Sequence, residues 1–204
     1  MGGNLQNLLY TVIAITVVLT VHEYSHAKIA DMLGDPTPRN RGRLTLNPLS
    51  HLDPLGLLML SLVKLGWAKP VPINPVYFRD RRKGVLYVSL AGPLSGIVLA
   101  LIVRIVLGLN IVGIFGPAAR LLRLIYIYSL IIAVFNLIPV YPLDGSRILE
   151  SLLPGNKAFA LRQKQGQIQM IFLLVVFLGN RFLWAILSPV IDMLDFVIRS
   201  ITGT

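Results

Sequence analysis

The stretch Thr16–Leu33, TVVLTVHEYSHAKIADML, decides how the rest of the chain is read. It is apolar enough to lie in lipid, yet it holds two of the chain's three histidines, His22 and His26, and the glutamate Glu23. Ionisable groups inside a membrane span are costly and mark function by default. In a helix the i and i+4 positions share a face about one turn apart, so His22 and His26 can reach one metal ion. Glu23 stands beside the first of them. The pattern is H-E-x-x-H, in which the histidines bind zinc and the glutamate serves as general base.

Composition supports a membrane setting. Of 204 residues 55% are hydrophobic and 14% charged, with a mean hydropathy of +0.73; soluble domains carry roughly a quarter charged residues. Cysteine is absent, which excludes disulfides and thiolate metal sites. The formal net charge of +10 would suit nucleic acid. Its basic residues, however, fall in short stretches between apolar runs: Arg39–Arg43, Arg79–Lys83 and Lys157–Lys164. That is how a polytopic protein marks cytoplasmic loops, and no base-reading motif accompanies the charge, so nucleic acid is not an expected partner.

The first apolar segment, about Leu5 to Leu33, is long enough to span and ends at the helix-breaking GDPTP. It lacks the cationic leader of a signal peptide and is read as retained. The run Leu55–Trp67 is too short to cross and contains Lys64, which predicts a re-entrant or interfacial piece. The following AKPVPINPVYFRDRRK, with its prolines and alternation, predicts extended edge-type strands at the surface, a small β element. Val85–Leu109 and about Ala119–Ile138 are long enough to span. Two further apolar pieces after residue 165 could form one kinked span, two spans, or a span and a surface helix. The expected fold is an all-α polytopic membrane protein of about four to six membrane helices around a zinc site, in a single membrane-embedded domain over residues 1–204. Positive charge after the first span puts its carboxyl end, and the YPLDG motif, on the cytoplasmic side of the cell membrane.

A zinc catalyst takes three protein ligands and keeps one position open. The topology allows His51, Asp53 or Asp144 as the third. For His51 and Asp53 the preferred reading is turn formation around NPLSHLDP. Asp144 follows a span in NLIPVYPLDG, where prolines break the helix and let a carboxylate turn toward a cavity. Gly92, Ser95 and Gly96 read as helix packing, and Trp67 and Tyr77 as interface anchors.

Together HEYSH, SLAGPLSG and NLIPVYPLDG resemble the site-2 protease family of intramembrane zinc metalloproteases in its small prokaryotic form. The resemblance extends over nearly the whole chain, including LNPLSHLDPLG and AKPVPINP. It implies one Zn2+ per chain held by His22, His26 and Asp144, with Glu23 activating the water. It implies also that Asn136 helps orient the substrate or polarise its carbonyl, and that the partners are transmembrane protein substrates within the lipid bilayer. Where many members have Asn-Pro, this chain has Asn136-Leu137. No PDZ- or CBS-sized stretch is expected, so substrate choice falls to the membrane domain, its surface strands, or a separate adaptor or regulator. The rival readings are a metal transporter, which the absence of internal repeats disfavours, and a catalytically silent membrane-protein binder.

Overall fold

The structure is a computed structural model that describes residues 2–53, 56, 68–109, 113, 115–178 and 180–203. The segment Leu55–Trp67, expected as a re-entrant or interfacial piece with Trp67 as an anchor, lies outside the described residues apart from Gly56.

Helix α1 (Gly2–Met32) carries the HEYSH motif in its last third. Its end is built by Gly34 at φ +99°, a left-handed turn that glycine adopts without strain. There Asp35 N–H donates to Ala30 O and Gly34 N–H to Asp31 O, the paired bonds of a Schellman ending. A one-turn helix α2 (Thr37–Asn40) follows, with Arg39 clamping the Asp31 carboxylate through two bonds of 3.0 and 2.8 Å.

Helix α3 (Arg81–Gly108) starts at Asp80, whose carboxylate accepts from the N–H groups of Arg82 and Lys83. Its composition is inverted relative to a soluble helix. The buried face is small (Gly92, Gly96, Ala100, Val103), whereas the exposed face is large and apolar (Leu94, Val98, Ile102, Ile105). Small residues inside and branched residues outside are what lipid as solvent selects, because close backbone approach replaces the hydrophobic driving force between helices. A β-carbon at Gly96 would lie 3.0 Å from Ser129 O of the next span, α4 (Pro117–Asn136), so that contact is helix packing as expected.

Helices α1, α3 and α4 pack on one another as the central bundle, with Ala14, Val18, Ala100, Ile125, Leu130 and Val134 in its core. Each is long and apolar enough to cross a membrane. Helix α6 (Gly155–Leu178) and helix α7 (Asn180–Thr202) meet at 91° and pass the same test together, as a broken span or a re-entrant loop. The chain is thus an all-α, multi-pass membrane protein with three such spans among the described residues, or four with the bent pair. Tyr126 of α4 ties α7 to the bundle by donating to Asp195 Oδ1 at 2.6 Å. The stretch Lys157–Lys164, read as a loop, forms part of α6 instead.

Between α4 and α6 lies the short helix α5 (Asp144–Leu152). A β-carbon at Gly145 would sit 2.3 Å from Leu137 O and 2.4 Å from Ile138 O, so only glycine lets α5 begin directly against the end of α4. Its other end is capped from α3, where the Arg82 guanidinium donates to the carbonyls of Ser151 and Leu153. Arg82 is therefore more than a topology marker.

The expected surface β element is not a strand. Among the described residues it is represented by one isolated antiparallel bridge, Leu52 to Ala68, followed by extended chain and a 3-10 turn at Pro75–Tyr77. Pro70, Pro72 and Pro75 carry no N–H, so a ladder cannot propagate. The alternation itself is present: Val71 is buried between exposed Pro70 and Pro72. Two of its donors are taken by acidic side chains of α1 and its end. Val71 N–H donates to Glu23 Oε2 at 3.1 Å, and Asn74 N–H to Asp35 Oδ2 at 2.6 Å.

Candidate metal centre

His22 and His26 are buried on one face of α1, one turn apart, at 4% and 6% relative exposure. Asp144, the first residue of α5, reaches them from the opposite side. His22 Nε2 and His26 Nε2 are 3.0 Å apart, and Asp144 Oδ2 lies 3.1 and 3.2 Å from them. His26 Nδ1 donates to Val88 O of α3 at 2.7 Å, which leaves its Nε2 as a lone pair turned to the centre. Asp144 Oδ2 is buried with no hydrogen-bond donor among the described residues, although two ring nitrogens face it. Burial would raise the Asp144 carboxyl, but the two histidines beside it hold it well below the usual carboxylate range.

The donor set is two imidazoles and one carboxylate, and its edges of 3.0–3.2 Å approach the roughly 3.3 Å edge of a tetrahedron with bonds of about 2.0–2.1 Å, the geometry of zinc. Two imidazole nitrogens and a carboxylate oxygen converge here, and a cation would take all three lone pairs at once. A second observation supports this. A β-carbon at Gly92 would fall 2.4 Å from His26 Nε2 and 2.6 Å from His22 Nε2. Gly92 thus keeps the ligand face open, a role beyond the helix packing expected of it. Nothing in SLAGPLSG alone distinguishes Gly92 from Gly96, since the difference lies in which helix each one faces. The residues fit a zinc ion.

Glu23 stands next to the triangle with Oε2 held by Val71 N–H. Arg43, buried in the connection after α1, donates to Lys69 O and so fixes the chain two residues before Val71. Burial pushes the Arg43 guanidinium down from its ordinary value, and the nearby Glu23 carboxylate opposes that. Lys69 N–H donates to His51 O at 2.8 Å. His51 is fully buried with Nε2 bonded to Thr45 O at 2.7 Å, and Asp53 accepts from Gly56 N–H at 2.9 Å. Both have the turn-forming roles read from the sequence and stand outside the ligand triangle. Asn136 ends α4 with its amide donating to Ile132 O at 2.9 Å. Leu137, which stands where many members of the resembled family have proline, gives its N–H to Val134 O and tightens the last turn. Arg43 and Val71 were not legible as site residues, because the part played by Val71 is a backbone N–H.

Comparison with known proteins then decides the family. Residues 110–178, which include the PLDG motif but not HEYSH, match the model of peptidase family M50. Over 188 residues the chain is 38% identical to "Putative zinc metalloprotease YwhC" of Bacillus subtilis, covering 88% of this chain and 86% of that protein. The chain belongs to peptidase family M50, the site-2 protease family. A second relative, "Putative zinc metalloprotease Rip2" of Mycobacterium tuberculosis, is 32% identical over 194 residues, covering 87% of this chain and 72% of its own. "Zinc metalloprotease MJ0392" of Methanocaldococcus jannaschii is 34% identical over 85 residues, 41% of this chain and 24% of that one. No solved structure matches significantly. As an M50 member the protein is a metalloprotease whose metal is zinc.

Proposed function

We propose that this M50 protein, one membrane-embedded core domain, hydrolyses a peptide bond in or near the transmembrane segment of membrane-protein substrates. Its site would open toward the cytoplasm. The observation that carries this reading is the His22–His26–Asp144 triangle with Glu23 beside it, enclosed by apolar spans. His22 and His26 would hold zinc through Nε2 and Asp144 through Oδ2. Bound there, zinc supplies Lewis acidity, polarising the scissile carbonyl and easing loss of a proton from the attacking water.

The chain's own groups supply the rest. Glu23 takes a proton from the water as its oxygen bonds to the carbonyl carbon, and returns it to the amide nitrogen as the C–N bond breaks. The Val71 N–H on Oε2 fixes the carboxylate's direction, leaving Oε1 for the proton transfer. Asn136 orients the substrate with the polar atoms not engaged by Ile132 O. Addition of an unwound substrate as a strand to Pro70–Phe78 finds little support, because the Val71, Asn74, Val76, Tyr77 and Phe78 N–H groups are already bonded and residues 70, 72 and 75 are prolines. The cytoplasmic orientation rests on the basic residues after α1 and before α3.

The test is cleavage of a single-span model substrate by purified protein in detergent, wild type against Glu23→Gln. Hydrolysis by wild type, and its loss by a factor of at least about 100 in Glu23→Gln with zinc retained, is the expected result. Unchanged hydrolysis in Glu23→Gln would remove Glu23 from the reaction.

A further inference from the structure

A cavity of about 250 Å³ is lined in part by Val88, whose carbonyl holds His26. Arg162 of α6 lines one side of it, and the other walls come from three segments that each also carry a contact of the metal centre. On α3, Gly92 floors the ligand triangle, Val88 gives its carbonyl to His26, and Val88 and Val85 then line the cavity toward the Arg81 end. On α5, the ligand Asp144 is followed three residues later, on the same helix face, by Arg147, which also lines it. In the extended segment, Val71 holds Glu23, and Ile73 and Pro75 line the cavity beyond. The cavity is thus the next station along the path a substrate chain would take from the scissile position toward the Arg81 end of α3.

Its chemistry is specific. Ile73, Pro75, Val85 and Val88 give it an apolar side, Ser89 adds a hydroxyl, and its volume is below the roughly 300 Å³ at which small-molecule sites begin. It has room for one or two side chains. Three charged groups surround it: Glu150 and Arg162 pair with each other, whereas Arg147 has no hydrogen-bond or ion-pair partner among the described residues. An exposed guanidinium without a partner among the described residues, over apolar side chains that include Val88, whose carbonyl holds His26, complements a carboxylate one residue from an apolar side chain.

We propose that this cavity is a specificity subsite for the flank of the substrate that emerges from the scissile bond toward the Arg81 end of α3. It takes an apolar residue whose neighbour is Asp or Glu, with Arg147 pairing the carboxylate. The inference rests on the protease reading above, and its test separates the two.

Synthetic single-span peptides carrying Leu-Asp, Leu-Asn or Leu-Lys at successive positions of that flank are bound to the Glu23→Gln protein in nanodiscs, which needs no hydrolysis. The same peptides are then offered as substrates to wild type. The expected result is a roughly three- to tenfold preference for Leu-Asp over Leu-Lys at one register, the range of a partly desolvated charge pair. Arg147→Lys keeps that preference and Arg147→Glu reverses it, each with zinc content unchanged. A preference that Arg147→Glu leaves intact would overturn the proposal. So would an equal loss for all three peptides, which marks a structural role. An Arg147 effect that follows the fraction of anionic lipid rather than the peptide would assign the guanidinium to a headgroup. Absence of hydrolysis with the binding preference present would instead fault the protease reading and leave the subsite standing.

Discussion

Gly92 lies so close beneath His26 that a β-carbon there would stand 2.4 Å from Nε2. The metal ligands of α1 can therefore face Asp144 only because α3 presents no side chain at that point. A single methyl group should displace both imidazoles. Gly92→Ala is expected to lose zinc binding and at least about 100-fold in activity, since ligand misplacement of this size disables such sites. Gly96→Ala is the contrast. Its β-carbon would press on Ser129 O and Ala133 across the helix interface, which should lower thermal stability while zinc stays bound. Zinc content and melting temperature of the two variants read the difference.

Glu23 is aimed by a backbone group rather than by a side chain. Val71→Pro removes the N–H that donates to Oε2 but suits an extended segment already flanked by Pro70 and Pro72. Removing one hydrogen bond to a charged group is worth about 1.5–3 kcal/mol, so kcat should fall roughly 10- to 100-fold with zinc content unchanged. Val71→Ala keeps the N–H and should stay within a few-fold of wild type. Equal loss in both variants would assign the effect to packing.

His51 tests whether burial was correctly separated from ligation. Its ring bonds Thr45 O, and its carbonyl receives Lys69 N–H, so it supports the loop that carries Arg43 and Val71. His51→Ala should retain one zinc per chain and lower stability by about 2–4 kcal/mol, the range for emptying a buried site. Zinc loss at unchanged melting temperature would make His51 a ligand.

Helix α7 is held to α4 by the Tyr126–Asp195 hydrogen bond. Tyr126→Phe should cost about 1 kcal/mol, in line with hydrogen bonds between membrane helices. It should appear as a lower melting temperature with zinc unchanged. No loss of stability would mean that apolar contact alone holds α7.

Much of this molecule is readable from its residues because membrane solvent imposes strong rules. His22, Glu23 and His26 stood out as ionisable groups in an apolar helix, and the prolines around Asp144 marked non-helical chain at the end of a span. The less legible features depend on what a residue faces. Gly92 and Gly96 share one small-residue pattern, yet one clears the ligands and the other seats a helix. Arg43 and Arg82 looked like markers of the cytoplasmic side, yet each guanidinium binds backbone carbonyls and fixes a segment of the site. The alternation of residues 68–78 suggested strand, but prolines removed some backbone donors, and carboxylates took those of Val71 and Asn74. Periodicity reports which way side chains point, not which partner the backbone finds.

The central claim is that His22, His26 and Asp144 together hold one zinc ion. Metal analysis of purified wild type, Glu23→Gln and Asp144→Ala proteins, each first exchanged against a mild chelator, tests it most directly. One zinc per chain in wild type and Glu23→Gln, and close to none in Asp144→Ala, is the predicted result. Full zinc in Asp144→Ala, or none in wild type, would contradict it.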